Sequence, residues 1–319
     1  MIKVGVIGAG NMGKNHIRLL RELSDIYDLC AVYDPDEERL RAQNAEGIRA
    51  SSEEELIDRC DAVVIAAPSS LHKKIALQVA AKEKHLLVEK PLALSAEDAN
   101  EIVSAYRSLD KVLMVGHVER FNPTITELEK VIGNEKIIAV NIERCSPADT
   151  RIVDTDVVYD LMIHDVDILL NAIFPAIGVS KISAVGTKVY SPSFMDYVDS
   201  MFEFENGCVG SIIASRATES KLRRIDIHCR DSFIMADLLD RKISVLRSTI
   251  LKTSDQSSAY RQENVVSKVF VPNVEPLRAE LVHFAHCIDG KETPLTSGES
   301  AVRSIETLDK IKKILYKRV

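Results

Sequence analysis

Ile2-Lys3-Val4-Gly5-Val6-Ile7-Gly8-Ala9-Gly10-Asn11-Met12-Gly13 is the stretch that decides the fold. An apolar run of strand length ends in Gly-x-Gly-x-x-Gly, and the residues from Asn11 to Leu23 then carry apolar positions at helical spacing. A strand that turns on glycines straight into a helix aims backbone N–H groups and the positive end of the helix dipole at one point, which suits a pyrophosphate. The glycines permit the tight turn, the close ligand approach and the packing of helix on strand. Such loops are common, so the pattern gains its weight from an acid farther along the chain. Asp34 closes the next apolar run, Ala31-Val32-Tyr33, at the spacing where a carboxylate meets an adenosine ribose. A carboxylate there accepts from ribose hydroxyls and repels a 2′-phosphate. The expected cofactor is NAD rather than NADP.

Outward from this motif the same rhythm continues. Strand-like runs at Ile2–Ile7, Tyr27–Tyr33, Ala62–Ala66, Leu86–Val88 and Val112–Val115, with a short one near Ile48, alternate with helical segments such as Asn11–Leu23, Leu71–Glu83 and Ala96–Ser108. Fully apolar strands separated by helices predict a parallel sheet covered on both faces. After Asn122-Pro123 the rhythm changes. Val140–Glu143, Met201–Glu205 and Ile225–His228 alternate apolar and polar residues, which predicts a mostly antiparallel sheet with one wetter face. A helix from Val157 to Ile173 precedes most of these strands, and another follows Glu299. The reading is a Rossmann-type α/β domain over 1–122 and an α+β domain over 123–319, whose final helix returns to the first.

Composition narrows the function classes. The chain has 319 residues, 46% hydrophobic and 28% charged, the balance of an ordinary globular protein. A chain this long buries about 75% of its unfolded surface, so it needs no metal or disulfide to fold. The net charge is −7, and the one dense basic cluster is Lys221-Leu222-Arg223-Arg224, which argues against nucleic acid as a partner. Six cysteines lie scattered with no Cys-x-x-Cys pair, so spacing indicates neither a zinc site nor a redox dithiol. Met1 leads straight into a strand, and no apolar run approaches the ~20 residues that span a bilayer. A cytoplasmic chain without membrane association is expected.

Two further groupings carry chemistry. Glu89-Lys90-Pro91 ends a strand where open α/β sheets bind ligands, so Lys90 is expected near the nicotinamide, able to donate to a substrate hydroxyl. On the helix Val157–Ile173, a spacing of 100° per residue puts Asp160, His164, Asp167 and Asn171 on one stripe. Met162, Val166, Leu169, Leu170 and Ile173 fall on the other. Solvated helical faces ordinarily carry Lys, Arg or Glu, yet Ile152 to Ser180 contains none. The polar stripe therefore fits a cleft, with Asp160 one turn before His164 to orient its ring. No metal is expected, because nothing else supplies a matched ligand pair.

With these motifs in hand, the chain resembles the glucose–fructose oxidoreductase / inositol dehydrogenase (Gfo/Idh/MocA) family. The resemblance rests on Gly8–Gly13, on Pro68 and His72 in the loop after Ala62–Ala66, and on Glu89-Lys90-Pro91. It continues in Gly116-His117-Val118-Glu119-Arg120-Phe121-Asn122-Pro123 and in Asp160…His164-Asp165. It implies a Rossmann domain joined to an open-sheet domain, with a lysine–proline peptide that is often cis. It implies Lys90, Asp160 and His164 as the catalytic set. Gly8, Gly10, Asn11, Met12, Gly13, Asp34, Pro68, His72, Glu89 and Lys90 are the implied cofactor contacts, and Arg120 is an implied substrate contact. Assembly as a homodimer or homotetramer through the open sheet is also implied.

Two departures stand out: Thr155-Asp156-Val157-Val158-Tyr159 replaces a glycine-rich run, and Val118 replaces a common asparagine. With the Gly116–Pro123 string they look most like the branch that oxidises UDP-N-acetylglucosamine at the 3-hydroxyl. Arg144 and Arg151 are then the nearest candidates to clamp a diphosphate. The alternatives are an inositol or free-sugar dehydrogenase, an imine or linear-tetrapyrrole reductase, and a dinucleotide-sensing regulator without turnover. Retention of Lys90, Asp160 and His164 together favours an enzyme.

Overall fold

The computed structural model describes residues 1–133, 135–148, 156–252 and 260–317. Two compact units emerge: Met1–Phe121 with Val274–Asp309, and Asn122–Asn273 with the residues from Lys310 onward. The first unit holds a five-stranded parallel sheet in the order β2-β1-β3-β4-β5, from β1 (Ile2–Ile7), β2 (Tyr27–Tyr33), β3 (Ala62–Ile65), β4 (His85–Glu89) and β5 (Leu113–Gly116). The short run near Ile48 is not a strand of this sheet. It forms a 3₁₀ turn, Glu46–Ile48, followed by a single bridge from Val32 to Arg49.

Helices α1 (Asn11–Glu22), α2 (Glu37–Ala42), α3 (Glu53–Arg59), α4 (His72–Ala81) and α5 (Ala96–Tyr106) connect the strands. Their starts differ in a way that matters for ligands. The side chains of Ser52 and Ser95 cap α3 and α5, and acids fill their first turns. At α1 the cap is Gly10, no side chain accepts from the first turn, and no acid lies in it. That leaves the N–H groups and dipole of α1 for an anion.

Val274–Asp309 departs from the two-segment division read from the sequence, because it belongs to the first unit. Within it, α8 (Pro276–Ile288) lays Leu281 and Phe284 into the same core as Val4, Val6, Leu19 and Leu20. Burying each such side chain contributes roughly 1.5–3 kcal/mol. Tyr27 donates to the Leu281 carbonyl at 2.7 Å, and Ser297 bridges Met114 along the free edge of β5. The last helix, α9 (Gly298–Tyr316), is divided at Asp309.

The second unit is built on an eight-stranded sheet, β13-β12-β11-β10-β6-β9-β8-β7. Its strands are β6 (Ile137–Cys145), β7 (Val179–Thr187), β8 (Tyr197–Phe204), β9 (Val209–Ser215), β10 (Leu222–Cys229), β11 (Phe233–Asp237), β12 (Lys242–Lys252) and β13 (Tyr260–Val269). It is antiparallel except where β6 runs parallel to β9. α6 (Pro123–Ile132) opens the unit, with Asn122 accepting from Thr124 N and proline in its first turn. Alternation does what period two requires. On β8, Val198, Ser200, Phe202 and Phe204 are buried, while Met201 between them is 60% exposed.

The predicted helix over 157–173 forms in three pieces: a π turn (Val158–Met162), α7 (Ile163–Asp167) and a second π turn (Ile168–Ile173). All five of its expected apolar positions are buried. They pack on the inner face of the sheet, where Phe174 meets Phe204 with ring centroids 4.3 Å apart.

Candidate active site

In the first unit a pocket of about 270 Å³ opens at the C-terminal edge of the parallel sheet. Gly8, Gly10, Met12, Asp34, Pro68, His72, Glu89 and Lys90 line it, so eight of the ten expected cofactor contacts meet in one place. Asn11 and Gly13 do not line it. Gly13 acts by packing, since a Cβ there would lie 1.9 Å from the Gly8 carbonyl oxygen. Gly8 itself takes φ +96°, and its Cβ would strike the Ala66 carbonyl at 2.6 Å. Only glycine fits either position, and the space they leave open is what a pyrophosphate needs. Beside the uncapped α1, this cradle fits a dinucleotide.

Asp34 is 5% exposed and held from two sides. The Ala9 N–H donates to Oδ2 at 2.7 Å, and the Asp36 N–H donates to Oδ1 at 2.8 Å. Both oxygens keep acceptor capacity for a ribose. Arg39 also lines the pocket, and the sequence reading missed it. Its signal was weak: an arginine in the helix after the acid, with no spacing rule to mark it.

His72 ties two walls together, Nδ1 lying 2.8 Å from the Pro91 carbonyl and Nε2 2.9 Å from the Ala67 carbonyl. Burial pushes its pKa down despite both carbonyls. Glu89 meets Nε2 of the fully buried His16 at 2.7 Å. Lys90 follows at the pocket wall, through a cis peptide to Pro91. Arg120 is buried, at 4% exposure, on the 3₁₀ turn Val118–Phe121. A larger depression of about 670 Å³ lies at the other end of the strands, around His85 and Leu113. It lacks the glycine loop and sits at the edge where open α/β sheets do not bind ligands.

In the second unit Asp160 and His164 are both half-buried, four residues apart across the junction of the first π turn and α7. π turns inside helices recur at functional sites because they re-aim side chains. Asp167, expected on the same stripe, is 1% exposed and accepts from Asn171 at 2.8 Å. It is structural.

Arg144 is 3% exposed, with Nε 2.9 and 2.8 Å from the two oxygens of Asp165, itself buried. The aspartate takes one edge of the guanidinium, so a diphosphate clamp would need the remaining amino groups of a buried side chain. Arg151 lies outside the described residues. Among the described residues no three His, Cys, Asp or Glu side chains gather to hold a metal ion. Nor is any described helix long and apolar enough to cross a membrane.

Residues 2–117 match the model of an oxidoreductase family with an NAD-binding Rossmann fold, and residues 130–234 match the GFO/IDH/MocA C-terminal domain. Fold, cradle and match together define an NAD-binding oxidoreductase. The chain belongs to the GFO/IDH/MocA family. It is 30% identical over 250 residues to a UDP-N-acetylglucosamine 3-dehydrogenase of Acidithiobacillus ferrooxidans, covering 76% of each chain. A solved structure of the enzyme of that name from the same organism superposes with a TM-score of 0.86 at 26% identity, over 98% of this chain and 97% of that one. A myo-inositol 2-dehydrogenase of Thermotoga maritima is 24% identical over 314 residues, covering 93% of this chain and 91% of its own.

Proposed function

We propose that the protein oxidises a secondary hydroxyl of a nucleotide sugar, UDP-N-acetylglucosamine at carbon 3, to the keto sugar. NAD, when bound, accepts the hydride that leaves the carbinol carbon. His164, oriented by Asp160, takes the hydroxyl proton, and Lys90 donates to the oxygen as negative charge develops on it. Positioned acid–base help of this kind is worth roughly 10² to 10⁴ in rate. Lys90 in the wall of the cofactor pocket is the observation that carries this reading. The uridine diphosphate is a handle whose binding energy orients the reacting hydroxyl. The similarity to the Acidithiobacillus enzyme over three-quarters of the chain supports that substrate.

A second reading, an inositol or free-sugar dehydrogenase, keeps the same residues in the same roles. The inositol dehydrogenase that matches over 93% of the chain favours it. Self-association through the outer face of the large sheet belongs to the proposal, since Ile138, Met201 and Val209 stand exposed there.

The test is NAD-dependent oxidation of UDP-N-acetylglucosamine with a sugar aminotransferase present to consume the ketone, read by mass spectrometry. Trapping is needed because NAD is a weak oxidant for simple alcohols. Keto-sugar-derived product is expected. Brisk NAD reduction with an inositol or free aldose, and none with the trapped UDP-sugar, would transfer the assignment to the second reading.

A further inference from the structure

Tyr316, the last residue of α9, reaches the point where the chain enters the helix over 157–173. Its hydroxyl donates to Oδ2 of Asp156, and the Ser193 carbonyl is a second acceptor at 3.3 Å. Burial raises the Tyr316 pKa and the bond to Asp156 raises it further, so the phenol keeps its proton and is the donor. Asp156 is 2% exposed, and a carboxylate so far from water depends on donors that the protein supplies.

The other acceptors of Asp156 serve the helix. Oδ1 takes the Val158 N–H at 3.0 Å, as the side chain of an N-cap does. The backbone carbonyl takes the Tyr159 N–H at 3.1 Å and the Asp160 N–H at 3.0 Å. Asp160 is therefore bonded directly to the residue that Tyr316 holds, and His164 follows four residues later. The π turn Val158–Met162 begins at the same place. A π turn winds more slowly than an α-helix, so the aim of each side chain after it depends on where it starts. Asp156 also lies in the string that stands in place of a glycine-rich run. A glycine there could neither cap Val158 nor accept from a phenol.

Neighbouring contacts steady the same entry. The Val157 N–H donates to the Met195 carbonyl at 3.1 Å. Lys312, one turn before Tyr316 on α9, places Nζ 5.0 Å from the centre of the Tyr159 ring, and Lys188 covers the Tyr316 ring at 5.4 Å. All these residues belong to the second unit. The contact on the Tyr316 ring would survive loss of the phenol oxygen, whereas the bond to Asp156 would not.

We propose, on the catalytic reading of Asp160 and His164, that Tyr316 is a positioning residue: through the Asp156 carboxylate its hydroxyl fixes the first turn of the helix and with it the aim of both side chains. Without the hydroxyl, Asp156 is left buried and short of a donor, so the carboxylate turns away from Val158 and the first turn loosens. Misplacing reacting groups by about 1 Å costs up to roughly 10²-fold in rate.

The experiment compares the wild type with Tyr316→Phe, which keeps the ring and removes the donor. Hydrogen–deuterium exchange of the peptide spanning Asp156–His164 should quicken in the variant, and kcat should fall roughly tenfold to a hundredfold. KM and NADH affinity should stay at their wild-type values. Asp156→Ala should lower kcat at least as far, and adding Tyr316→Phe to it should cost nothing more, because the hydroxyl acts through that carboxylate. Should Tyr316→Phe not fold, Asp156→Asn takes its place. Its amide keeps an oxygen for Val158 and turns an N–H toward the phenol oxygen, so it should retain more kcat than Asp156→Ala. Unchanged exchange in Tyr316→Phe overturns the proposal, as do equal losses in the Asn and Ala variants. Quicker exchange with unaltered kcat leaves Tyr316 a structural contact only and overturns it too. So does a fall in kcat matched by losses of KM, NADH affinity and Tm together. The exchange measurement needs no substrate, so a failed sugar assignment would show as a wild type without turnover while the effect on the helix remained.

Discussion

Nη1 of Arg39 lies 3.8 Å from Oδ2 of Asp34, beside Gly10 in the same pocket. The acid repels a 2′-phosphate, and the arginine offers that phosphate a partner, so cofactor choice depends on both. Arg39 is 55% exposed, which weakens its attraction by solvent screening. NAD should therefore support turnover better than NADP. Arg39→Ala should widen the ratio of kcat/KM values, and Asp34→Ala should narrow it, each by several-fold to a hundredfold, or about 1–3 kcal/mol. A ratio that narrows on removing Arg39 would show that the arginine serves NAD instead.

Lys90→Ala and His164→Ala should each lower kcat by roughly 10² to 10⁴. NADH affinity, followed by fluorescence titration, should stay close to wild type. The cradle at Gly8 and Gly13 and the carboxylate of Asp34 are untouched by either change. Near-normal turnover in both variants would remove the proposed catalytic set and favour a dinucleotide-sensing regulator.

Legibility in the sequence depends on how each residue signals its surroundings. The strands of the first unit are predominantly apolar, and Gly8 and Gly13 admit no other residue type at the turn. Both the Rossmann sheet and its pocket can therefore be read from one segment. α8 escaped because Arg278 and Glu280 interrupt its apolar spacing, and nothing local shows that Glu280 is buried. Arg39 escaped for want of any fixed offset from Asp34. On the helix over 157–173 the 100° wheel grouped Asp167 with His164, but two π turns change the angular step, and Asp167 ends in the core. Arginines are mostly exposed, so nothing in the sequence marks Arg144 as buried. Only the fold brings Asp165 to it.

Cys30 is the thiol expected to react first. Its Sγ lies 3.4 Å from that of Cys60, and the hydrogen bond between them lowers the Cys30 pKa to about 7. Cys60 is pushed up by the same bond and by burial. Cys30 is half-buried, whereas the other five cysteines are buried. Iodoacetamide should label it selectively, at a rate that rises through pH 7 and then levels, because the thiolate is the nucleophile. Cys60→Ala should shift that rise to higher pH. Peptide mapping that finds another cysteine labelled first would contradict the assignment.

Arg144 and Asp165 allow stability to be separated from substrate binding. Removing one partner of a buried ion pair leaves the other charged without water, which costs roughly 3–5 kcal/mol. Arg144→Ala should therefore lower the urea midpoint by an amount a surface clamp could not cause. Removing both charges with side chains of similar bulk, Arg144→Met with Asp165→Leu, should restore most of that loss. The double variant is then the one to titrate with UDP-N-acetylglucosamine. Near wild-type affinity would limit Arg144 to holding Asp165, the neighbour of His164, in place. A large loss of sugar affinity at restored stability, with NADH binding intact, would mean that the guanidinium also meets the diphosphate. An unchanged urea midpoint for Arg144→Ala would contradict the ion pair itself, since no buried carboxylate at 2.8 Å from its partner loses that partner without cost.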